Sequence, residues 1–122
     1  MDIEGKVWGT TACILKLPMF ELHRIEVKAG GYCSEHIHRA KHNLFYVESG
    51  VLKVTLWNQC AAYEPKKPDV TIMRAGDSMP IPPNRAHKFE GVSAVVAYEV
   101  YWAELSEDIE RRTHGGLRRN EP

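Results

Sequence analysis

The amino-acid sequence predicts an all-β fold, a small sandwich or barrel, and three observations predict it. Turn signals recur at short intervals: Gly9, Pro18, Gly30-Gly31, Ser49-Gly50, Pro65 to Pro68, Gly76-Asp77, Pro82-Pro83-Asn84 and Gly91. The runs between them are short and rich in β-branched and aromatic residues, which suit a pleated, half-buried surface. Only the segment 105–112 has helical character.

In chain order, strands are expected at 6–15, ending before Pro18, and at 20–28, closed by Gly30-Gly31. A short extended run follows at 33–38. The clearest hairpin joins 43–48 to 51–57: Leu44-Phe45-Tyr46-Val47 leads into Ser49-Gly50 and Val51-Leu52-Lys53-Val54 leads out. In the outgoing arm Leu52, Val54 and Leu56 share one face, opposite Lys53 and Thr55. Residues 58–69 (NQCAAYEPKKPD) are polar and broken by proline, and read as a surface loop between two halves. Further strands are expected at 70–73, 78–81, 87–90 and 94–103. Ser106 suits the N-cap of a helix over 105–112, with Glu107 and Asp108 in its first turn and His114-Gly115-Gly116 closing it. The final LRRNEP reads as a disordered tail. The expected division is a β-barrel domain over 1–104, then a short helix and polar tail over 105–122.

With 122 residues the chain can form one domain with a core of its own. Sixteen Lys and Arg offset sixteen Asp and Glu, so the chain has no charge excess to draw it to nucleic acid or an acidic membrane surface. Arg111-Arg112 and Arg118-Arg119 sit in the polar tail and read as a solvated end. Cys13, Cys33 and Cys60 are odd in number and form no CxxC pair, which argues against a disulfide framework and for a reducing compartment. Each reads as a small apolar residue; Cys33, three before His36, stands nearest a candidate site. No apolar stretch of signal-peptide length opens the chain, and none approaches the ~18–20 residues that span a bilayer. The expectation is a soluble, cytoplasmic protein with neither nucleic acid nor membrane as partner.

His36 and His38 lie two apart in an extended run, and a period of two places both imidazoles on one face. They belong to a larger pattern. Gly30, five residues, His36-Ile37-His38, four residues, Asn43, six residues, Gly50 is one half; Gly76, five residues, Pro82-x-Asn84, two residues, His87 is the other. This pattern resembles the two motifs of the cupin superfamily, G-x5-H-x-H-x3,4-E-x6-G and G-x5-P-x-G-x2-H-x3-N. Every spacing is kept, with Asn43 in place of Glu, Asn84 in place of Gly and Gly91 in place of the closing Asn. Asn84 suits its place because Asn tolerates the left-handed turn that Gly usually supplies.

The resemblance covers about Trp8 to Trp102. It implies a cupin jelly-roll β-barrel (a double-stranded β-helix), here followed by the short C-terminal helix, with the histidines pointing inward. Three neutral imidazoles converging there leave open positions for water or substrate on one divalent metal ion, iron, manganese, nickel or zinc. Asn43 stands where the family has a carboxylate ligand, and its neutral carboxamide implies a weak fourth ligand or a hydrogen bond to bound water. His42 would share the parity of His36 and His38 on an unbroken strand, but a turn is expected between them. His23 and His114 read as surface residues. Tyr46, Tyr98, Tyr101, Trp57 and Trp102 read as core or dimer-face aromatics.

Trp8-Gly9, Arg24-Ile25-Glu26-Val27-Lys28-Ala29-Gly30, Tyr98-Glu99-Val100 and Glu107-Asp108-Ile109-Glu110-Arg111 are similar to segments of the type II mannose-6-phosphate isomerase cupins. That branch implies a sugar phosphate and aldose–ketose isomerisation, with Glu99 the acidic residue available as base. The branch carries Gln-x-His and a downstream Glu where this chain has His36, His38 and Asn43. Three expectations follow for function. The first is a metal-dependent isomerase or epimerase on a small oxygen-rich molecule such as a sugar or sugar phosphate. The others are a three-histidine Fe(II) dioxygenase-type enzyme and a non-catalytic small-molecule-binding module; an inward Glu99 favours the first. A homodimer is expected, because the N-terminal strand and the Trp102 region offer an edge and apolar surface.

Overall fold

A computed structural model describes residues 2–57 and 67–103. Among them are nine strands: β1 (Ile3–Lys6), β2 (Gly9–Leu17), β3 (Phe20–Val27), β4 (Lys41–Ser49), β5 (Leu52–Leu56), β6 (Asp69–Met73), β7 (Ser78–Ile81), β8 (His87–Gly91) and β9 (Val95–Ala103). A six-stranded sheet in the order β1-β2-β3-β9-β4-β7 lies against a three-stranded sheet in the order β6-β5-β8. All of these pairings are antiparallel, and the result is an all-β jelly roll. The expected helix over 105–112, the tail, His114, Cys60 and most of the loop 58–69 fall outside the described residues. Among the described residues no helix is long and apolar enough to cross a membrane.

The side-chain period of two makes the interior. Across β3, β9 and β4 the pairing register stacks inward positions in layers. Val27 pairs with Val95, and Ile25 with Ala97, which in turn pairs with Val47. All five are buried, with Leu52, Val54, Met73, Ile81 and Phe89 of the other strands. Each such large apolar side chain contributes roughly 1.5–3 kcal/mol by leaving water. The next layer joins His23, Glu99 and Phe45, and the one beyond it Glu21, Tyr101 and Asn43. One end of the barrel is therefore apolar and the other is lined by polar side chains.

Two expected elements differ. The single strand over 6–15 is two, β1 and β2, broken at Val7-Trp8. Trp8 leaves the ladder to pack its ring edge-on against Phe89, with centroids 4.9 Å apart, while its carbonyl accepts from Lys28 N at 2.8 Å. The run 33–38 is no continuous strand; isolated bridges join the chain to β8 at Tyr32–Glu90, just before it, and at His36–His87, with Cys33 N donating to Phe89 O at 3.2 Å between them. Between them Phe89 N donates to Cys33 Sγ at 3.2 Å, so a thiol stands where a ladder would place a carbonyl.

The hairpin expected at Ser49-Gly50 is not formed: β4 pairs with β7 and β9 and β5 with β6 and β8, so the turn carries the chain from one sheet to the other. Gly50 has φ 84°, and a Cβ there would lie 2.0 Å from the carbonyl oxygen of Ala94. Gly76 has φ 89° but open space around the same position. Gly50→Ala should therefore cost upward of ~3 kcal/mol, through strain and backbone collision together, and Gly76→Ala about 1–2 kcal/mol through conformation alone. Urea unfolding of the two variants checks this, and equal losses would contradict it.

Candidate metal centre

His36 and His38 come from the bridged segment and His87 from the start of β8. His36 and His87 face each other and exchange two backbone hydrogen bonds, His36 N to His87 O at 3.1 Å and His87 N to His36 O at 3.0 Å. The segment is tied down again where Asn84 N donates to His38 O at 2.6 Å. Asn84 has φ 65°, the left-handed turn expected of it, and its Oδ1 accepts from Arg39.

The three rings converge. Centroids are 4.3 Å apart for His36–His87, 5.0 Å for His36–His38 and 5.5 Å for His38–His87. One ring nitrogen from each lies within 4.8 Å of the other two. Second contacts select the tautomers: Nδ1–H of His36 donates to Ser34 O at 2.7 Å, and Nδ1–H of His87 to Arg85 O at 3.0 Å. A carbonyl can only accept, so in the neutral ring it is Nε2 that carries the lone pair, as a metal ligand requires. Nε2 of His38 and of His87 are buried with no hydrogen-bond partner, an arrangement that costs free energy unless something else fills the place. Burial pushes the His87 pKa down to about 4. It lowers that of His38 as well, helped by nearby His36 and Lys41. Both are neutral at pH 7. The donor set thus fits a divalent transition metal, and a bound ion would satisfy the orphaned nitrogens.

Asn43 is on β4, inward and 1% exposed. It sits against Glu99, whose charged form it favours. His42 lies near the start of the same strand, on the opposite face, and stacks on Trp102, with centroids 5.2 Å apart and planes at 14°; it does not join the cluster. The expected turn between it and His38 holds, because β4 starts only at Lys41.

His23 is not the surface residue expected. It has the parity of Ile25 and Val27, its side chain is 22% exposed, and its ring meets Tyr101 edge-on at 5.5 Å. The alternation His23, Ile25, Val27 carried this signal in the sequence. Glu99 faces inward and is 6% exposed. Burial foremost raises its pKa, opposed by the Tyr101 hydroxyl, His36, His23 and Asn43. Tyr101, expected only as a core or dimer aromatic, donates its hydroxyl to Glu99 Oε2. Their spacing of two within β9 was the available sign. A cavity of about 450 Å³ is lined by His36, Glu99, Tyr101, His23 and Cys33, among others. Cys33 is 8% exposed and its thiol is pushed up to about 11 by burial, so it remains a thiol that accepts from Phe89 N.

A protein-family model described as "Cupin domain" matches residues 23–102. Solved structures share the fold. A KdgF structure from Halomonas sp. superposes with a TM-score of 0.71 at 13% identity, over 86% of this chain and 90% of that one. The Schizosaccharomyces pombe Cnp3 cupin domain gives 0.69 at 16%, over 85% and 69%. An oxalate decarboxylase of Lactobacillus farciminis, described as a formate complex, gives 0.70 at 21%, over 88% and 32%. No curated protein sequence matches the chain.

The burial of His87 has a consequence for stability. With metal chelated, the unfolded chain takes a proton on this imidazole below its ordinary pKa of about 6.5, while the folded chain does so only near 4. Stability should hold above about 6.5 and fall by up to roughly 3 kcal/mol as pH drops through that window. Urea midpoints across the range read this out, and His87→Gln should remove the larger part of the slope. An unchanged slope in the variant would refute the assignment.

Proposed function

This chain belongs to the cupin domain family, and we propose that it binds one divalent metal ion through His36, His38 and His87 and serves a small oxygen-rich molecule in isomerase-like chemistry. Asn43 is the proposed weak fourth contact, direct or through water. The observation that carries the reading is that Glu99 lines the same cavity as His36. A divalent ion in such a site supplies Lewis acidity toward a carbonyl or hydroxyl oxygen. Glu99 provides the rest: a carboxylate that takes a proton from the carbon beside a carbonyl and returns it to the neighbouring carbon. Its raised pKa brings proton gain and loss closer to neutral pH. Tyr101 orients the carboxylate through its hydroxyl. The likeness of Trp8-Gly9 and Arg24 to Gly30 to the type II mannose-6-phosphate isomerase branch is what favours sugar phosphates among oxygen-rich molecules.

A second reading, three-histidine oxygenase chemistry on iron, is favoured by the make-up of the cluster, which no Asp or Glu joins among the described residues. A homodimer belongs to the same proposal. Its supports are β1, an edge strand exposed along its length, and the apolar surface around Leu17, Met19 and Trp102.

Elemental analysis of protein purified without chelator should find iron, manganese, nickel or zinc at this site, with His36→Ala losing it. Incubated in D₂O with a panel of aldose and ketose phosphates, the metal-loaded protein should exchange a carbon-bound hydrogen for deuterium. Glu99→Gln should slow that exchange by about 10²–10⁴-fold, the usual contribution of a positioned acid–base, while keeping its metal. Metal binding without any exchange would remove the isomerase reading and leave oxygen consumption with iron as the next assay. A folded chain that takes up no metal at the three histidines would remove both.

A further inference from the structure

Apart from the three histidines, the barrel holds a second cluster of metal-ligating side chains. Cys13, Glu21 and His23 present a thiol sulfur, a carboxylate oxygen and a ring nitrogen within 4.8 Å of one another, all partly buried. We propose that these three residues form a second metal site, of zinc type, on the β2–β3 hairpin.

The local backbone builds this site. Cys13 and His23 are direct cross-strand partners, and Glu21 lies two residues before His23 on the same face. A regular ladder would next pair Leu15 with Glu21 and place an apolar side chain on the cluster. A bulge between Cys13 and Leu15 prevents it: Leu15 pairs instead with Leu22, on the other face. Bulges of this kind re-aim side chains and are common beside functional sites. Glu21 Oε1 and His23 Nε2 are 3.5 Å apart, long for a hydrogen bond. It is close to the separation of about 3.3 Å that two ligands of one tetrahedral zinc ion require at bonds of about 2.0–2.1 Å. Cys13 Sγ makes only a loose contact, 3.8 Å to Leu15 O, and can close by the remaining ångström or so through its rotamer.

The donor set decides the class of ion. A thiolate, an imidazole and a carboxylate suit zinc or a neighbouring transition metal, whereas magnesium and calcium prefer oxygen alone. Three protein ligands leave one tetrahedral position open. Lys41 Nζ stands 3.5 Å from the far oxygen Glu21 Oε2 and 5.8 Å from the centroid of Tyr101, so it leaves Oε1 to face His23. The Tyr101 ring separates this cluster from the first, 5.5 Å from His23 and 5.4 Å from His38. Two ions would thus flank one tyrosine, whose hydroxyl is held by Glu99.

The test uses cobalt(II) and zinc(II) on the full chain. A thiolate bound to cobalt gives an intense charge-transfer band in the near ultraviolet, which imidazole and carboxylate ligands alone do not. That band separates this site from the all-histidine one whether or not the latter binds. Cobalt should produce the band in the wild type, in Cys33→Ala and in Cys60→Ala, and Cys13→Ala should abolish it. His23→Gln, which keeps the thiol, should weaken cobalt binding at the band at least tenfold. With zinc, Cys13→Ala should lose one equivalent relative to the wild type. A wild-type protein that binds cobalt without the band, or a band that survives Cys13→Ala in a folded protein, would overturn the proposal.

Discussion

The alternation of side chains along β3, β9 and β4 is the constraint from which the rest of this molecule follows. Pairing in register puts every inward position of these strands into a layer with its neighbours, so composition changes layer by layer along the barrel. Valine, isoleucine and alanine fill the layers toward one end; His23, Glu99, Glu21, Tyr101 and Asn43 fill those toward the other. The apolar layers supply the driving force for closure, and the polar layers gain a partly desolvated setting in which Asn43 and Glu99 are buried. Low dielectric there raises the Glu99 pKa and lowers that of His87. The chemistry of the polar end is thus a product of the packing at the apolar end.

The three histidines depend on this frame through few bonds. Two backbone hydrogen bonds between His36 and His87, and one from Asn84 to His38, hold a segment that forms no continuous ladder. A full strand would have been stiffer but would also have committed alternate carbonyls of the segment to pairing with β8. Here Ser34 O and Arg85 O are left to accept from the imidazole Nδ1 atoms, which directs both Nε2 lone pairs inward. The irregularity of 33–38 and the orientation of the ligands are one feature.

Tyr101 links the parts. It touches His38 on one side and His23 on the other, and donates to Glu99 beneath them. Its own pKa is raised by burial and by the Glu99 charge, so it stays a phenol and a donor. A phenol fixed in this way keeps Glu99 in one place on the cavity wall, a condition for proton transfer between adjacent carbons.

The sequence by itself determined the fold class, eight of the strands to within a few residues, the turn at Ser49-Gly50, though not that it joins two sheets, and the histidines that meet. These are matters of local spacing: a period of two, a turn residue where φ must be positive, and fixed intervals between motif positions. Tertiary structure decided what spacing does not encode. Trp8 breaks the first strand because Phe89, far along the chain, offers its ring a place to pack. Cys33 interrupts the third because it lies beside Phe89 N. Glu99 and His23 became interior groups, and His42 an outer one, because the register across β3, β9 and β4 sets the face on which each strand's alternation begins. A single strand read alone has two faces and no means to tell them apart; only its neighbours make one of them the inside.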